Sequence, residues 1–179
     1  MPIKLPEYLN HGEIDSLISN APSDDARTVL VAMWRAGLRV TEAISLQWRD
    51  VNLDENYPTI RVRNPKGGEE REVPLHPELR EVLRAAAQKR PEGQLVPITR
   101  QRAWQWVKQA LKQSQQSGDI ALGKHVGTHT LRHSAARHWL MHGTAINVVQ
   151  LWLGHKDISF TQPYVKLIPQ ALGNMRNIP

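Results

Sequence analysis

Between Val51 and Leu75 the helical spacing of apolar residues that governs most of the chain gives way to alternation, so the fold must combine helices with a small sheet. "TIRVR" and "REVPL" place apolar residues at every second position, which buries one face of a strand, and the intervening "NPKGGEE" carries turn chemistry. Together they read as a β-hairpin with Lys66 near its tip. "DVNLDENYP" supplies a third strand before it, and the expected fold class is α+β, mainly α-helical, with a small three-stranded antiparallel sheet.

On both sides of this stretch the spacing is helical. Ile14, Leu17 and Ile18 mark one face of a short helix across Gly12 to Asn20. Ser23 is an N-cap with Asp24 and Asp25 in the first turn, and Ala26 to Ala36 forms a helix that Gly37 stops. Thr41 to Gln47 follows at once, which sets Arg39 in a tight helix–turn–helix junction. Pro77 opens a helix over Glu78 to Arg90, and Thr99 caps another that runs to about Gln116. In the last third Thr128 caps His129 to Met141, Thr144 caps Ala145 to Leu153, and Gly154 ends that helix. A short amphipathic piece, Asp157 to Val165, carries Tyr164. With no internal repeat and no long linker, residues 1–179 read as a single domain.

Composition narrows the function classes. The 179 residues contain no cysteine, which excludes disulfides, thiolate metal sites and cysteine nucleophiles. No run reaches the roughly 18 to 20 apolar residues of a membrane span, and no apolar signal segment follows Met1, so a cytoplasmic location is the default expectation. The net charge is +6, and it is uneven. Met1 to Asp25 is acidic and Ala26 to Leu79 is balanced, whereas Arg80 to Lys112 carries eight basic residues against Glu81 and Glu92. A cationic back half suits a polyanion, nucleic acid first, with Arg100, Arg102, Lys108, Lys124 and His133 as candidate contacts.

Five of the eight histidines fall between His125 and His142, and His125, His129 and His133 recur at i, i+4 and i+8. That spacing raises the question of a metal. No carboxylate lies in the helix to complete a site, no H-E-x-x-H occurs, and Arg132 sits among the would-be ligands, so the expectation is no metal and no cofactor. His129 and Arg132, three apart, project from one side of the helix; they present either a proton-transfer group and a fixed cation to one phosphate, or a solvated basic face. The six tryptophans lie in or beside apolar helix patterns and read as core rather than base-stacking platforms.

In order, "AGLRVTEAISLQWRDV", "NPKGGEEREVPLHPEL" and "THTLRHSAARHWLMHGTAINVVQLWLGHKDISFTQPYV" closely resemble the successive motifs of the tyrosine recombinases, the phage-integrase family. The resemblance runs from about Gly12 to Val165. It implies catalytic roles for Arg39, Lys66, His129, Arg132, His155 and Tyr164, with Glu42 in support. In that chemistry Arg39 and Arg132 clamp the nonbridging oxygens of a phosphodiester whose transition state no metal neutralises. Tyr164 attacks and forms a 3'-phosphotyrosine link that conserves the bond energy without ATP. Lys66 protonates the departing 5' oxygen, His129 assists proton transfer, and His155 hydrogen-bonds the phosphate. Glu42 is a buttress, since a carboxylate facing the phosphate opposes the reaction.

The resemblance also implies double-stranded DNA as partner and a tetramer on two DNA sites, with a monomer in solution left open. Pro163 restricts the backbone before Tyr164. Arg137 and Ala136 depart from the residue types usual beside the H-x-x-R element. Many relatives carry an N-terminal helical domain that clamps the duplex, and here it is expected to be absent. The expected function is a site-specific recombinase or integrase catalytic domain. DNA relaxation resembling a type IB topoisomerase, and a DNA-binding module that has lost catalysis, stand as alternatives.

Overall fold

The computed structural model describes residues 7–63 and 70–155. Among these residues seven α-helices, one 3-10 turn (Trp48–Asp50, between α3 and β1) and three strands follow in the order α1 (His11–Ser19), α2 (Asp24–Arg35), α3 (Val40–Ser45), β1 (Val51–Asn52), β2 (Thr59–Val62), β3 (Arg71–Pro74), α4 (Pro77–Lys89), α5 (Arg100–Gln116), α6 (Thr128–Met141) and α7 (Ile146–Leu153). This is the expected class: mainly helical, with one antiparallel sheet of order β1-β2-β3.

The caps explain most boundaries. Ser23 accepts from the Ala26 N–H at the start of α2, and Thr99 accepts from the Arg102 N–H at the start of α5. At α6 and α7 the boundaries differ from expectation. Gly127, not Thr128, is the N-cap of α6, because the Thr130 hydroxyl reaches back to accept the Gly127 N–H at 3.0 Å. Thr128 is thereby the first helical residue, and His125 lies before the helix, so the i, i+4, i+8 histidine face does not form. Ala145 takes the N-cap position of α7 in place of Thr144. Gln47 leaves α3 to bridge to Gln94, which ends that helix at Ser45.

α2 is the centre of the fold, packing on α1, α3, α4, α5 and α6. Eight of its twelve residues are buried, from Ala26 to Trp34. Burial of this kind contributes about 1.5 to 3 kcal/mol for each large apolar side chain. In the sheet, Ile60 pairs with Val73 and Val62 with Arg71. Ile60, Val62 and Val73 face the core, and strand alternation sets Arg71 on the same side as Val73. β3 in turn packs against α7.

Gly37, between α2 and α3, has φ +59, and a Cβ there would stand 2.7 Å from the Trp139 ring. Both the left-handed backbone and the close approach of α6 require glycine at this turn. Trp34 and Trp106 are buried, and Trp48, Trp139 and Trp152 pack against the core. Trp104 breaks the expected pattern: it projects from α5 with 49% of its surface exposed, because its neighbours at Ala103, Trp106 and Val107 occupy the inward face.

Among the described residues no helix is long and apolar enough to cross a membrane. No group of three or more metal-ligating side chains able to hold an ion occurs among them either.

Candidate active site

The turn that Gly37 permits brings Arg39 to the N-cap of α3, where Glu42 occupies the third helical position. The Glu42 carboxylate accepts the Arg39 backbone N–H at 2.7 Å and the Arg39 Nη1 at 2.8 Å. One residue thus caps the helix and pins the guanidinium that precedes it. The other edge of that guanidinium remains accessible, with 40% of the Arg39 side chain exposed.

Arg132 comes from the middle of α6 and is buried. Its Nη1 donates to the Gly37 carbonyl at 2.7 Å and its Nη2 to the Leu153 carbonyl at 2.5 Å. Leu153 is the last residue of α7, so Arg132 stands at the negative end of that helix. Its Nη1 also lies 3.6 Å from Glu42 Oε2. The turn at residues 37–42, the middle of α6 and the end of α7, remote in sequence, are therefore joined through Arg132 and Glu42.

A third arginine completes the cluster. Arg71 Nη1 and Nη2 donate to the two Glu42 oxygens at 3.1 and 2.8 Å, and its Nε donates to the Trp152 carbonyl at 2.7 Å. Reasoning on motifs missed this residue. Its signal was the alternation in "REVPL", which puts a charged side chain in phase with Val73 and Leu75 on the inward face. Burial raises the Glu42 pKa, but the Arg71 hydrogen bonds and charge, the Arg39 N–H and the Arg132 charge outweigh it and hold the carboxyl below its ordinary value.

His155 follows Gly154 at the end of α7, where its N–H donates to the Gln150 carbonyl at 3.1 Å. Desolvation, then the charges of Arg132, Arg39 and Arg71 and the neighbouring His133, push its pKa down to about 4. His133 is likewise lowered to about 4, by desolvation and then His129 and Arg132. The His129 pKa falls through desolvation and the charges of Arg132, Arg100 and Arg39. The His129 and His133 rings stand 6.3 Å apart. Near neutral pH the site therefore holds several fixed cations beside neutral imidazoles, able to bind a phosphate and to exchange a proton with it.

The structure brings together Arg39, Glu42, His129, Arg132, His133 and His155; Lys66 and Tyr164 lie outside the described residues. Of the other candidate contacts, Arg100 and Arg102 are exposed on the first turn of α5. Lys108 lies 5.6 Å from the centre of the Trp104 ring and Arg102 lies 5.7 Å from that of Trp106. Arg100, Gln101, Trp104 and Thr128 line an open depression of about 320 Å³. Lys124 is engaged elsewhere, in an ion pair with Glu13 at 2.6 Å.

The family model of the phage integrase family matches residues 7–170. The chain belongs to the phage integrase family. Its relatives include tyrosine recombinase XerD of Pseudomonas aeruginosa, 34% identical over 96% of this chain and 61% of that protein. Tyrosine recombinase XerA of Pyrococcus horikoshii is 31% identical over 96% of this chain and 61% of its own length. The chain spans about three fifths of the length of these curated relatives. Among solved structures, this phage-integrase chain superposes on XerA recombinase with a TM-score of 0.73 and 28% identity, covering 97% of this chain and 65% of that one. The catalytic domain of bacteriophage HP1 integrase gives 0.71 and 26%, covering 96% of this chain and 94% of that domain.

Proposed function

We propose that this chain is the catalytic part of a site-specific DNA recombinase or integrase that breaks and rejoins strands through a 3'-phosphotyrosine link. The observation that carries the reading is the convergence of Arg39 and Arg132 on one carboxylate, with neutral His129 and His155 in the same electrostatic neighbourhood. Two preorganised guanidiniums suit a phosphodiester whose charge grows in the transition state, and holding them in place beforehand avoids reorganisation at the moment of reaction.

In this reaction the Tyr164 oxygen attacks phosphorus as its proton leaves, the bond to the 5' oxygen breaks, and Lys66 gives that oxygen a proton. Reversal of the steps rejoins the strand without ATP, metal or other cofactor. His129 assists proton transfer and His155 hydrogen-bonds the phosphate. The partner is double-stranded DNA. Arg100, Arg102 and Lys108 on α5 supply cationic contacts to it, with His133 beside the reacting phosphate; Lys124, neutralised by Glu13, is left out of that set. Assembly as a tetramer on two DNA sites is part of the same proposal.

Incubation with nicked duplexes drawn from random sequence tests the reading. The wild-type chain should become covalently attached to DNA, and Tyr164→Phe should abolish the attachment. An adduct of equal yield in Tyr164→Phe contradicts it.

A further inference from the structure

Arg71 has no role in the chemistry just described, yet its guanidinium is engaged at every nitrogen. Its three nitrogens all donate, two of them to the Glu42 oxygens and one to the Trp152 carbonyl. Only 9% of its side chain is exposed, against 40% for Arg39. The guanidinium is thus committed at all three nitrogens to groups of the protein itself. Its bonds join three elements: β3, the start of α3 and the end of α7.

A second observation lies at Gly154. This residue has φ +64, and a Cβ added there would stand 2.8 Å from Arg71 Nη1 and 3.0 Å from its Cζ. The backbone of Gly154 therefore lies close against the Arg71 side chain, and the next residue is His155. Trp152, whose carbonyl Arg71 holds, and Leu153, whose carbonyl Arg132 holds, are consecutive. The end of α7 is thus gripped by two arginines that meet at the same carboxylate. Arg71 is also the first residue of β3, five positions after Lys66 in the sequence.

We propose that Arg71 is a positioning residue for the reaction: it locks the end of α7, and with it His155, to the carboxylate that anchors Arg39 and Arg132. The inference rests on reading the site as a phosphodiester-cleaving centre. Its action is indirect, through Glu42, Gly154 and His155. Among the described residues, the charged and titratable groups facing His155 are Arg132 and His133 from α6, Arg39 from the start of α3 and Arg71 from β3, and removal of one cation from that set lets the imidazole protonate more readily.

The test uses the full chain, a nicked duplex selected from random sequence for adduct formation, and NMR titration of His155. Arg71→Met should slow single-turnover adduct formation at saturating DNA by about 10- to 100-fold, the scale expected for a small misplacement of catalytic groups. DNA affinity should stay at the wild-type value, and the His155 midpoint should move up in pH. Arg71→Lys keeps the charge and loses the fork, so the midpoint should stay low while the rate remains depressed. Gly154→Ala, which leaves every ionic group in place, should slow the reaction as Arg71→Met does.

Wild-type rate and an unmoved midpoint in Arg71→Met overturn the inference. If that variant fails to fold, a wild-type rate in both Arg71→Lys and Gly154→Ala overturns it instead. A wild-type chain that never forms an adduct contradicts the functional reading; the His155 midpoint in Arg71→Met then decides the positioning role by itself.

Discussion

Two sets of cations, the cluster around Glu42 and the outer face of α5, carry similar charges in opposite settings. In the first, Arg71 and Arg132 are buried and both meet the Glu42 carboxylate, while Arg71 holds the Trp152 carbonyl and Arg132 those of Gly37 and Leu153. In the second, Arg100 and Arg102 stand in solvent, and Arg102 and Lys108 lie over tryptophan rings. A buried cation in fixed geometry gains from low dielectric and loses much when misplaced, while an exposed one is screened by salt and can be replaced by its neighbours. The contrast supports the proposal that the first group serves the chemistry and the second docking, and each half of that proposal can be broken separately.

The largest effect should come from Arg132. On the proposed function its truncation to Ala removes a transition-state cation and should lower the rate of adduct formation at saturating DNA by about 10²- to 10³-fold or more. The same change strips bonds from the Gly37 and Leu153 carbonyls and weakens the neutralisation of Glu42, so chemical denaturation should report a loss of about 3 to 5 kcal/mol. Full activity in a folded Arg132→Ala protein would remove the distinction between the two regions.

Next in size is the turn that joins the cluster. Gly37→Ala imposes a left-handed backbone on a residue with a Cβ and drives that Cβ against Trp139. Its cost should reach about 2 to 4 kcal/mol by thermal or denaturant unfolding. The account expects no such sensitivity at Gly118, which also has positive φ but faces open space, beyond the conformational cost itself.

Substitutions on α5 should act by another route. Arg102→Ala should weaken DNA binding and reduce the slope of log K against log salt by about one, leaving the rate at saturating DNA nearly unchanged. Trp104→Ala should weaken binding with little change in that slope, by about 1 to 3 kcal/mol if the ring stacks on the nucleic acid. Loss of rate without loss of affinity in these variants would make α5 part of the chemistry.

The smallest effect concerns pH. His133, His138 and His155 have pKa values lowered to about 4 in the folded state, against about 6.5 in an unfolded chain. The unfolded state therefore binds more protons between these values, and stability should be fully present above about pH 6.5 and decline as pH falls toward 4. Solvent reaches all three groups, so the fall in Tm across that window should be a matter of degrees rather than a collapse.

The sequence disclosed these regions unequally, and for physical reasons. Period and capping are local, which is why the α2 start at Ser23, the α5 start at Thr99 and the β2–β3 pairing could be read without coordinates. The order and spacing of motifs singled out Arg39, Glu42, His129, Arg132 and His155, which lie close together in the structure and whose catalytic roles belong to the proposal. Arg71 stayed hidden because its importance comes from tertiary contacts with Glu42 and Trp152, and a charged residue in a short strand looks like solvent-facing surface. Trp104 was misplaced for the converse reason: tryptophan favours the interior, and only the packing of Trp106 and Val107 shows which face of α5 turns inward. Lys124 counted toward the basic surface in sequence, while Glu13, more than a hundred residues away, takes its charge.

The measurement that bears most directly on the division of labour is a pair of single-turnover rates and dissociation constants, for Arg132→Lys and Arg102→Ala on one selected nicked duplex. The account predicts a crossed result: Arg132→Lys loses adduct rate at saturating DNA by about two orders of magnitude and keeps its affinity, while Arg102→Ala keeps its rate and loses affinity with a shallower salt slope. Parallel losses in both quantities for both variants would contradict it.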